Sequence, residues 1–270
     1  MDKQIFISED FDKQQTTTYT LLIGVEHATV TLAAVDGDAN LKFFAMTDPG
    51  DPDQQVTDLL ACTFKSVKII AADQGYSFVP DEAYDANFLP VYKRFLPGEG
   101  IAAATVSHIP SQAIRLICQI NMLGLEPYVE RFPGATVYPR IHAYVCGIDK
   151  LVDDKEYVLT VDRHTASGIA ICCFNKGKLC YCNDFEVHSP DDLHYYMLAL
   201  RDHIGLSDSR PAIILSGHIA NDDPYYKCLT NYSDTLVWAN VAQPTGLSLP
   251  LDLQHEQHRS FSLFASQLCG

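Results

Sequence analysis

The chain has 270 residues, of which 47% are hydrophobic and 20% are charged, so it can bury a core of ordinary globular proportions and is not a disordered protein. Its 34 acidic residues outnumber its 19 lysines and arginines, which gives a formal net charge of −15. Because binding to nucleic acids and to anionic membrane surfaces depends on clustered lysine and arginine, this imbalance argues against both as partners.

The N-terminal residues lack the basic and apolar segments of a signal peptide, and no apolar run approaches the ~20 residues that a membrane helix needs. We therefore expect a cytoplasmic protein without membrane insertion. The nine cysteines are odd in number and irregularly spaced. In a reducing compartment this pattern favours thiols over a disulfide framework.

The first half of the chain predicts three strands, a helix and a fourth strand. Segments 19–26, 29–35 and 41–46 are rich in strand-forming residues and are separated by turn residues, which indicates a three-stranded meander. A turn at 48–52 precedes apolar residues at helical spacing, which predicts a helix over 53–65. The apolar run 67–71 predicts the fourth strand.

Residues 74–110 are less regular and predict a strand at 76–79, a helix within 81–96 and a strand at 101–106. Helical spacing predicts further helices at 125–132 and 139–151, and one at the end of the chain over 255–269.

The second half repeats the order of the first. It predicts strands at 157–162, 168–174 and 178–185, the last two joined by the two-residue turn Lys176-Gly177. Ser189 and Pro190 form a helix start before a helix over 193–204, and 211–215 predicts the closing strand. Each half is therefore β-β-β-α-β, and we divide the chain into subdomains 15–148 and 149–270.

Three local motifs accompany this repeat. Ile23–Thr29 resembles the first phosphate loop of the actin and hexokinase superfamily, Leu159–Thr165 resembles the second, and Ile214–Ala220 resembles the adenosine loop. Over about residues 15–270 the chain resembles an uncharacterised Bacteroidetes family, domain-of-unknown-function family 3822, and more distantly the pilus-assembly protein PilM. The resemblance implies an α/β actin-like ATPase fold of two ribonuclease-H-like subdomains, with mixed sheets flanked by helices.

The resemblance also implies where a nucleotide would bind if the site were retained. The nucleotide-binding positions would be Gly24, Ala28, Thr29, Arg163, His164, Thr165, Ser216, Gly217 and His218. The carboxylates of Glu26 and Asp162 would face each other across a cleft, where they would hold a metal ion or act as acid and base.

Departures from the family pattern indicate a degenerate site. Ala28, His164, Thr165 and His218 occupy positions where glycine lets a backbone approach phosphate, and Glu26 replaces an aspartate. None of the loops contains a lysine, and only Arg163 could offset phosphate charge. We therefore expect no cofactor, with ATP and magnesium binding only if the cleft is functional.

Two functions remain open from the sequence. The favoured one is a non-catalytic pseudoenzyme that acts as a binding or scaffolding module for a protein partner. The alternative is an active ATPase or sugar-kinase-like phosphotransferase using Glu26 and Asp162. Three histidines on the same loops, His27, His164 and His218, are candidates for binding a different anionic ligand.

Four cysteines cluster at positions 172, 173, 180 and 182. With the turn at Lys176-Gly177, Cys173 would face Cys180 and Ile171 would face Cys182. Strand alternation then predicts Cys173, Cys180 and Cys182 on one face of the hairpin. Such thiols could bind zinc with His164 or His188 as a fourth ligand, although packing as small hydrophobic side chains is the favoured interpretation.

Overall fold

The structure is a computed structural model that describes residues 4–26, 29–96, 103–120, 122, 124–152, 157–206 and 209–270. It divides into two compact units. The first unit comprises Met1–Gly147, Ala242–Pro250 and Ser262–Gly270, and the second comprises Ile148–Val241 and Leu251–Phe261. The predicted subdomain 149–270 differs from this division, because two segments near the end of the chain belong to the first unit.

The elements of the first part of the chain include the predicted β-β-β-α-β series. In chain order they are β1 (Gln4–Ile7), β2 (Thr20–Val25), β3 (Val30–Val35), β4 (Leu41–Thr47), α1 (Gln54–Leu60), β5 (Ser66–Ala71), β6 (Asp73–Pro80), α2 (Leu89–Tyr92), β7 (Ala103–Ile109), β8 (Ile114–Ile120), α3 (Glu126–Arg131), β9 (Thr136–Pro139) and α4 (Arg140–Asp149). One six-stranded mixed sheet has the order β1-β4-β3-β2-β5-β9. Its central strand β2 contains three consecutive fully buried residues, Leu21, Leu22 and Ile23, because both faces of the sheet are covered.

Helix α1 is shorter than the predicted 53–65. It begins after Asp53, whose carboxylate accepts a hydrogen bond from the Gln55 N–H group. At its end the helix does not continue, and the Arg131 guanidinium donates hydrogen bonds to the carbonyl oxygens of Leu60, Ala61 and Cys62 at 2.6–3.0 Å. A side chain distant in sequence therefore satisfies the terminal carbonyl groups that a longer helix would have used.

A second sheet of the first unit is antiparallel, with the order β6-β8-β7. Strand β8 was not predicted. The predicted helix within 81–96 is instead a series of short turns around the four-residue α2, because Pro90 and the Asp85 cap interrupt helical pairing. This segment exposes the large apolar side chains of Phe88, Val91 and Phe95.

The second unit repeats the topology of the first sheet. Its elements are β10 (Val158–Arg163), β11 (Gly168–Asn175), β12 (Lys178–Glu186), α5 (Pro190–His203), β13 (Ala212–Gly217), α6 (Pro224–Leu229) and β14 (Leu236–Trp238). The strand order β12-β11-β10-β13-β14 matches β4-β3-β2-β5-β9. Helix α5 begins with a reciprocal capping box between Ser189 and Asp192 and has Pro190 in its first turn.

The core of the second unit lies on one face of its sheet. Alternate residues of β10, β11 and β13 pack with α5 and α6, and this cluster includes Leu159, Val161, Ile171, Cys173, Leu193, Met197, Ile213, Leu215 and Leu229. The opposite face of the same strands is more polar, with Thr160, Asp162 and Ser216 buried.

The closing segment is not one continuous helix over 255–269. It contains α7 (Ala242–Thr245), α8 (Leu251–Gln254) and α9 (Phe261–Ala265), with 3-10 turns at Gln257–Ser260 and Ser266–Leu268. Parts of it join the first unit because Ser248 pairs with Asn40 and the ring of Phe264 stacks on Phe44 at 6.0 Å. None of the helices in the described part of the chain has the length and apolar character required to span a bilayer.

Candidate functional site

Asp162, the carboxylate of the predicted second phosphate loop, lies near the end of β10. Its side chain is buried, and its neighbour on the parallel strand β13 is Ser216. The Ser216 hydroxyl donates to Asp162 Oδ1 at 2.7 Å. The parallel pairing of β10 with β13 therefore brings two of the sequence-predicted site residues into direct contact.

The turn between β10 and β11 uses its amide groups internally. The His164 and Thr165 N–H groups both donate to the Gly168 carbonyl oxygen, at 3.1 and 3.3 Å. The Gly168 N–H group donates to Thr165 Oγ1 at 2.6 Å. A phosphate loop offers such N–H groups to the ligand, whereas in this turn three of them are satisfied by the turn itself.

Gly217 has a structural role that requires no nucleotide. Its φ of +76° lies in the left-handed region, and a Cβ there would lie 2.3 Å from the Arg163 carbonyl oxygen. The next residue, His218, donates its N–H group to that same oxygen at 2.8 Å. Loss of hydration lowers the pKa of the His218 ring, and the negative charge of Asp162 partly opposes this shift.

Arg163, the cation expected to offset phosphate charge, is engaged within the second unit. Its Nη1 donates to the His218 carbonyl oxygen at 3.2 Å and to Asp223 Oδ2 at 3.1 Å, while Nη2 donates to the Ala166 carbonyl oxygen at 3.0 Å. The guanidinium also lies over the ring of Tyr225 at 4.2 Å. Its charge and both of its terminal amino groups thus have partners in the protein.

The first phosphate loop belongs to the other unit. Gly24 lies in β2 and has room for a Cβ, since the nearest atom would be Leu263 Cδ1 at 3.5 Å. Glu26 is exposed, and its N–H group donates to the carbonyl oxygen of the buried Thr29. His27 and Ala28 lie outside the described residues. The pairing of Glu26 with Asp162 across a cleft stays a prediction.

The predicted register of the cysteine hairpin, which is formed by β11 and β12, is wrong. The turn is at Lys176-Gly177 as expected, with Asn175 opposite Lys178, but the register shifts between Cys173 and Phe174. Because of this β-bulge, Cys173 faces Tyr181 and Cys172 faces Cys182.

The bulge places one of the three thiols proposed to share a face, that of Cys182, on the opposite face of the hairpin. Cys173 points into the core of the second unit, whereas Cys182 is opposite Cys172 on the other face, with the sulfur atoms 2.7 Å apart. Cys180 is exposed, and a hydrogen bond from the Cys173 thiol lowers its pKa to about 7. The histidines proposed as fourth ligands lie beside carboxylates instead, His164 near Asp184 and His188 near Glu186.

A different set of side chains comes together in the first unit and was missed. His142 and Cys146 of α4 and the penultimate residue Cys269 place their possible ligand atoms within 4.8 Å of one another. The four-residue spacing of His142 and Cys146 in a predicted helix was a usable signal. Nothing in the sequence pattern could bring Cys269 to them.

Comparisons with solved structures show the fold. A crystal structure of a Bacteroides thetaiotaomicron protein with actin-like ATPase fold and unknown function superposes with a TM-score of 0.76 and 15% identity, covering 96% of this chain and 99% of that one. A PilM-PilN type IV pilus biogenesis complex gives a TM-score of 0.63 and 12% identity, covering 93% of this chain and 99% of that one. A search of curated proteins found no significant match.

The two superpositions agree with the duplicated strand order and establish the actin-like ATPase fold that the sequence predicted. The model of the family described as "Protein of unknown function (DUF3822)" matches residues 8–236, which is most of the chain. This chain is therefore a member of the DUF3822 family.

Proposed function

We propose that this protein is a non-catalytic member of the actin-like fold that acts as a binding or scaffolding module. The observation that carries the proposal is the internal bonding of the turn after β10. The amide N–H groups of His164, Thr165 and Gly168 all have partners within that turn.

Phosphoryl transfer depends on groups that hold and neutralise the phosphates in the transition state. To bind a phosphate, the turn would have to break bonds that it already makes, and each lost bond would cost ~1 kcal/mol or more. Arg163 would also have to leave Asp223 and the ring of Tyr225. The net charge of −15 adds a further electrostatic cost to binding a triphosphate.

A binding role is supported by an exposed apolar patch in the segment between β6 and β7. Phe88, Val91 and Phe95 are 54%, 41% and 77% exposed. Clustered large apolar side chains on a surface are typical of protein interaction sites. PilM, which has a similar fold, is solved as a complex with PilN, which is consistent with a protein partner. A cytoplasmic location is part of this proposal.

The catalytic half of the proposal is tested with ATP and magnesium. Isothermal titration should detect no binding of magnesium-ATP to the full-length chain, and phosphate release should equal the protein-free rate. Micromolar binding accompanied by steady phosphate release would overturn the proposal.

The binding half is tested by cross-linking in cells of the native organism, followed by mass spectrometry. The same cross-linked protein should be recovered with the wild-type chain and with Asp162→Ala, and should be lost with the pair Phe88→Ser and Phe95→Ser. Leu251→Ser is the matched control, because Leu251 is 76% exposed but lies outside the patch. Loss of the cross-link in Asp162→Ala but not in the phenylalanine pair would contradict the proposal.

One observation favours the alternative of an active ATPase or sugar-kinase-like phosphotransferase. Asp162 remains a buried carboxylate at the end of β10, held by the Ser216 hydroxyl. This alternative requires that any measured ATP turnover disappear in both Asp162→Ala and Glu26→Ala. Turnover that survives both substitutions would remove it.

A further inference from the structure

Three potential metal ligands converge in the first unit. His142 and Cys146 lie four residues apart on α4 and therefore share one side of the helix. Cys269 follows the 3-10 turn Ser266–Leu268, and its ligand atom lies within 4.8 Å of those of the other two. The cluster therefore exists only because the end of the chain returns to α4.

The position of Cys269 is set by Lys68 of β5. The Lys68 ammonium donates to the carbonyl oxygens of Ser266, Gln267 and Cys269, at 3.0, 3.4 and 2.6 Å. These three bonds hold the final turn against the sheet. The sulfur of Cys269 is thus placed by the protein itself.

The imidazole of His142 is also held in place. The Tyr138 ring packs against it edge-on, with centroids 5.3 Å apart. His142 is 5% exposed, and its Nδ1 has no hydrogen-bond partner among the described residues. A buried ring nitrogen without a partner is costly, and an imidazole that carries one and lies beside two thiols is consistent with a ligand that the protein is built to hold.

We propose that His142, Cys146 and Cys269 form a zinc site. Two sulfur ligands and one imidazole nitrogen suit Zn²⁺, which takes four ligands and in open sites leaves the fourth position to water or to a small molecule. Both sulfur atoms bind as thiolates, so two thiol protons pass to solvent and the two negative charges balance the ion. No oxidation or reduction is involved.

The test uses the full-length chain, reduced and freed of metal, with zinc as the sole added metal. Elemental analysis after removal of unbound ion should find about one zinc ion per chain. Cobalt in place of zinc should give a near-ultraviolet absorption band from thiolate coordination. Cys146→Ser and Cys269→Ser should each weaken zinc binding at least ~100-fold in competition with a chelator and should weaken the cobalt band.

Cys228→Ser is the matched control, because Cys228 is also a buried thiol but belongs to the second unit. Cys180→Ser controls for the exposed thiol of the cysteine hairpin. Both variants should bind zinc like the wild type. If a ligand variant fails to fold, the cobalt band of the wild type and the thermal stabilisation it gains from zinc still test the site. Absence of stoichiometric zinc in the reduced wild type, or loss of zinc in Cys180→Ser but not in Cys146→Ser, would overturn the proposal.

Discussion

The two repeats share a strand order but finish their first strands differently. Strand β2 is followed by the exposed Glu26, and Gly24 within it has room for a larger side chain. Strand β10 has the buried Asp162 as its second-last residue, held by Ser216, and Gly217 at the end of the neighbouring strand β13 has no room for a Cβ.

The difference shows that the two repeats share the strand order of their sheets but not the residues and hydrogen bonds at the strand ends. Matching strand order follows from the hydrophobic pattern of each half, which both halves need in order to bury a sheet. The strand ends carry no such shared requirement. In the second unit they are closed by hydrogen bonds within the protein, and substitutions close to the strand ends of the two units should therefore have unequal effects.

The largest difference is expected between two glycines. Gly217→Ala should destabilise the protein by about 2–4 kcal/mol, because the new Cβ would overlap the Arg163 carbonyl group in a left-handed backbone. Gly24→Ala should cost less than about 1 kcal/mol, since its Cβ would make an ordinary contact. Denaturation followed by circular dichroism measures both, and equal losses would contradict the comparison.

The two strand-end carboxylates provide the second comparison. Ser216→Ala should cost about 1–3 kcal/mol, because it removes a hydrogen bond from the buried carboxylate of Asp162. Glu26→Gln should change stability by less than about 0.5 kcal/mol, since Glu26 is exposed. Urea denaturation of the two variants beside the wild type measures the difference, and a Ser216→Ala variant as stable as Glu26→Gln would be the contrary result.

The helices of the two repeats are capped to different degrees. Ser189→Ala should cost about 1 kcal/mol, because it removes one side of the capping box at the start of α5. Asp53→Ala at the start of α1 should cost about 0.5–1 kcal/mol, since Asp53 makes a single capping bond to Gln55. Thermal unfolding should rank Ser189→Ala as the more damaging change.

The smallest expected effect is the change of folding stability with pH. Burial lowers the pKa of His258 from its ordinary value of 6.5, and His218 is shifted in the same direction. The unfolded chain then binds more protons than the folded one below pH 6.5, so stability should decline as the pH falls through 6.5.

His258→Gln should flatten that decline, and the fluorescence of the single tryptophan, Trp238, reports it because its ring lies 4.4 Å from His258. His188→Gln is the control, since His188 is exposed. A wild-type protein whose stability increases as the pH falls below 6.5 would contradict the sign of this prediction.

Local patterns located most elements of the sheet. The three strands, helix and strand of each half follow from apolar runs and turn residues close together in sequence. Errors arose where a distant group decides the outcome. Arg131 ends the helix α1 early by binding its terminal carbonyl groups, and a bulge in β12 moves Cys173 from Cys180 to Tyr181. Neither event has a marker in the local sequence.

The sequence by itself determined the duplicated β-β-β-α-β order, the predicted turn at Lys176-Gly177 and the start of α5, because each depends on periodicity or on residues a few positions apart. Only the tertiary structure decided that Arg163 is engaged by Asp223, that Asp162 is held by Ser216, and that Cys269 meets His142 and Cys146. The physical reason is the same in each case. These contacts join residues dozens of positions apart, and their partners are selected by how strands and chain ends pack rather than by any local preference.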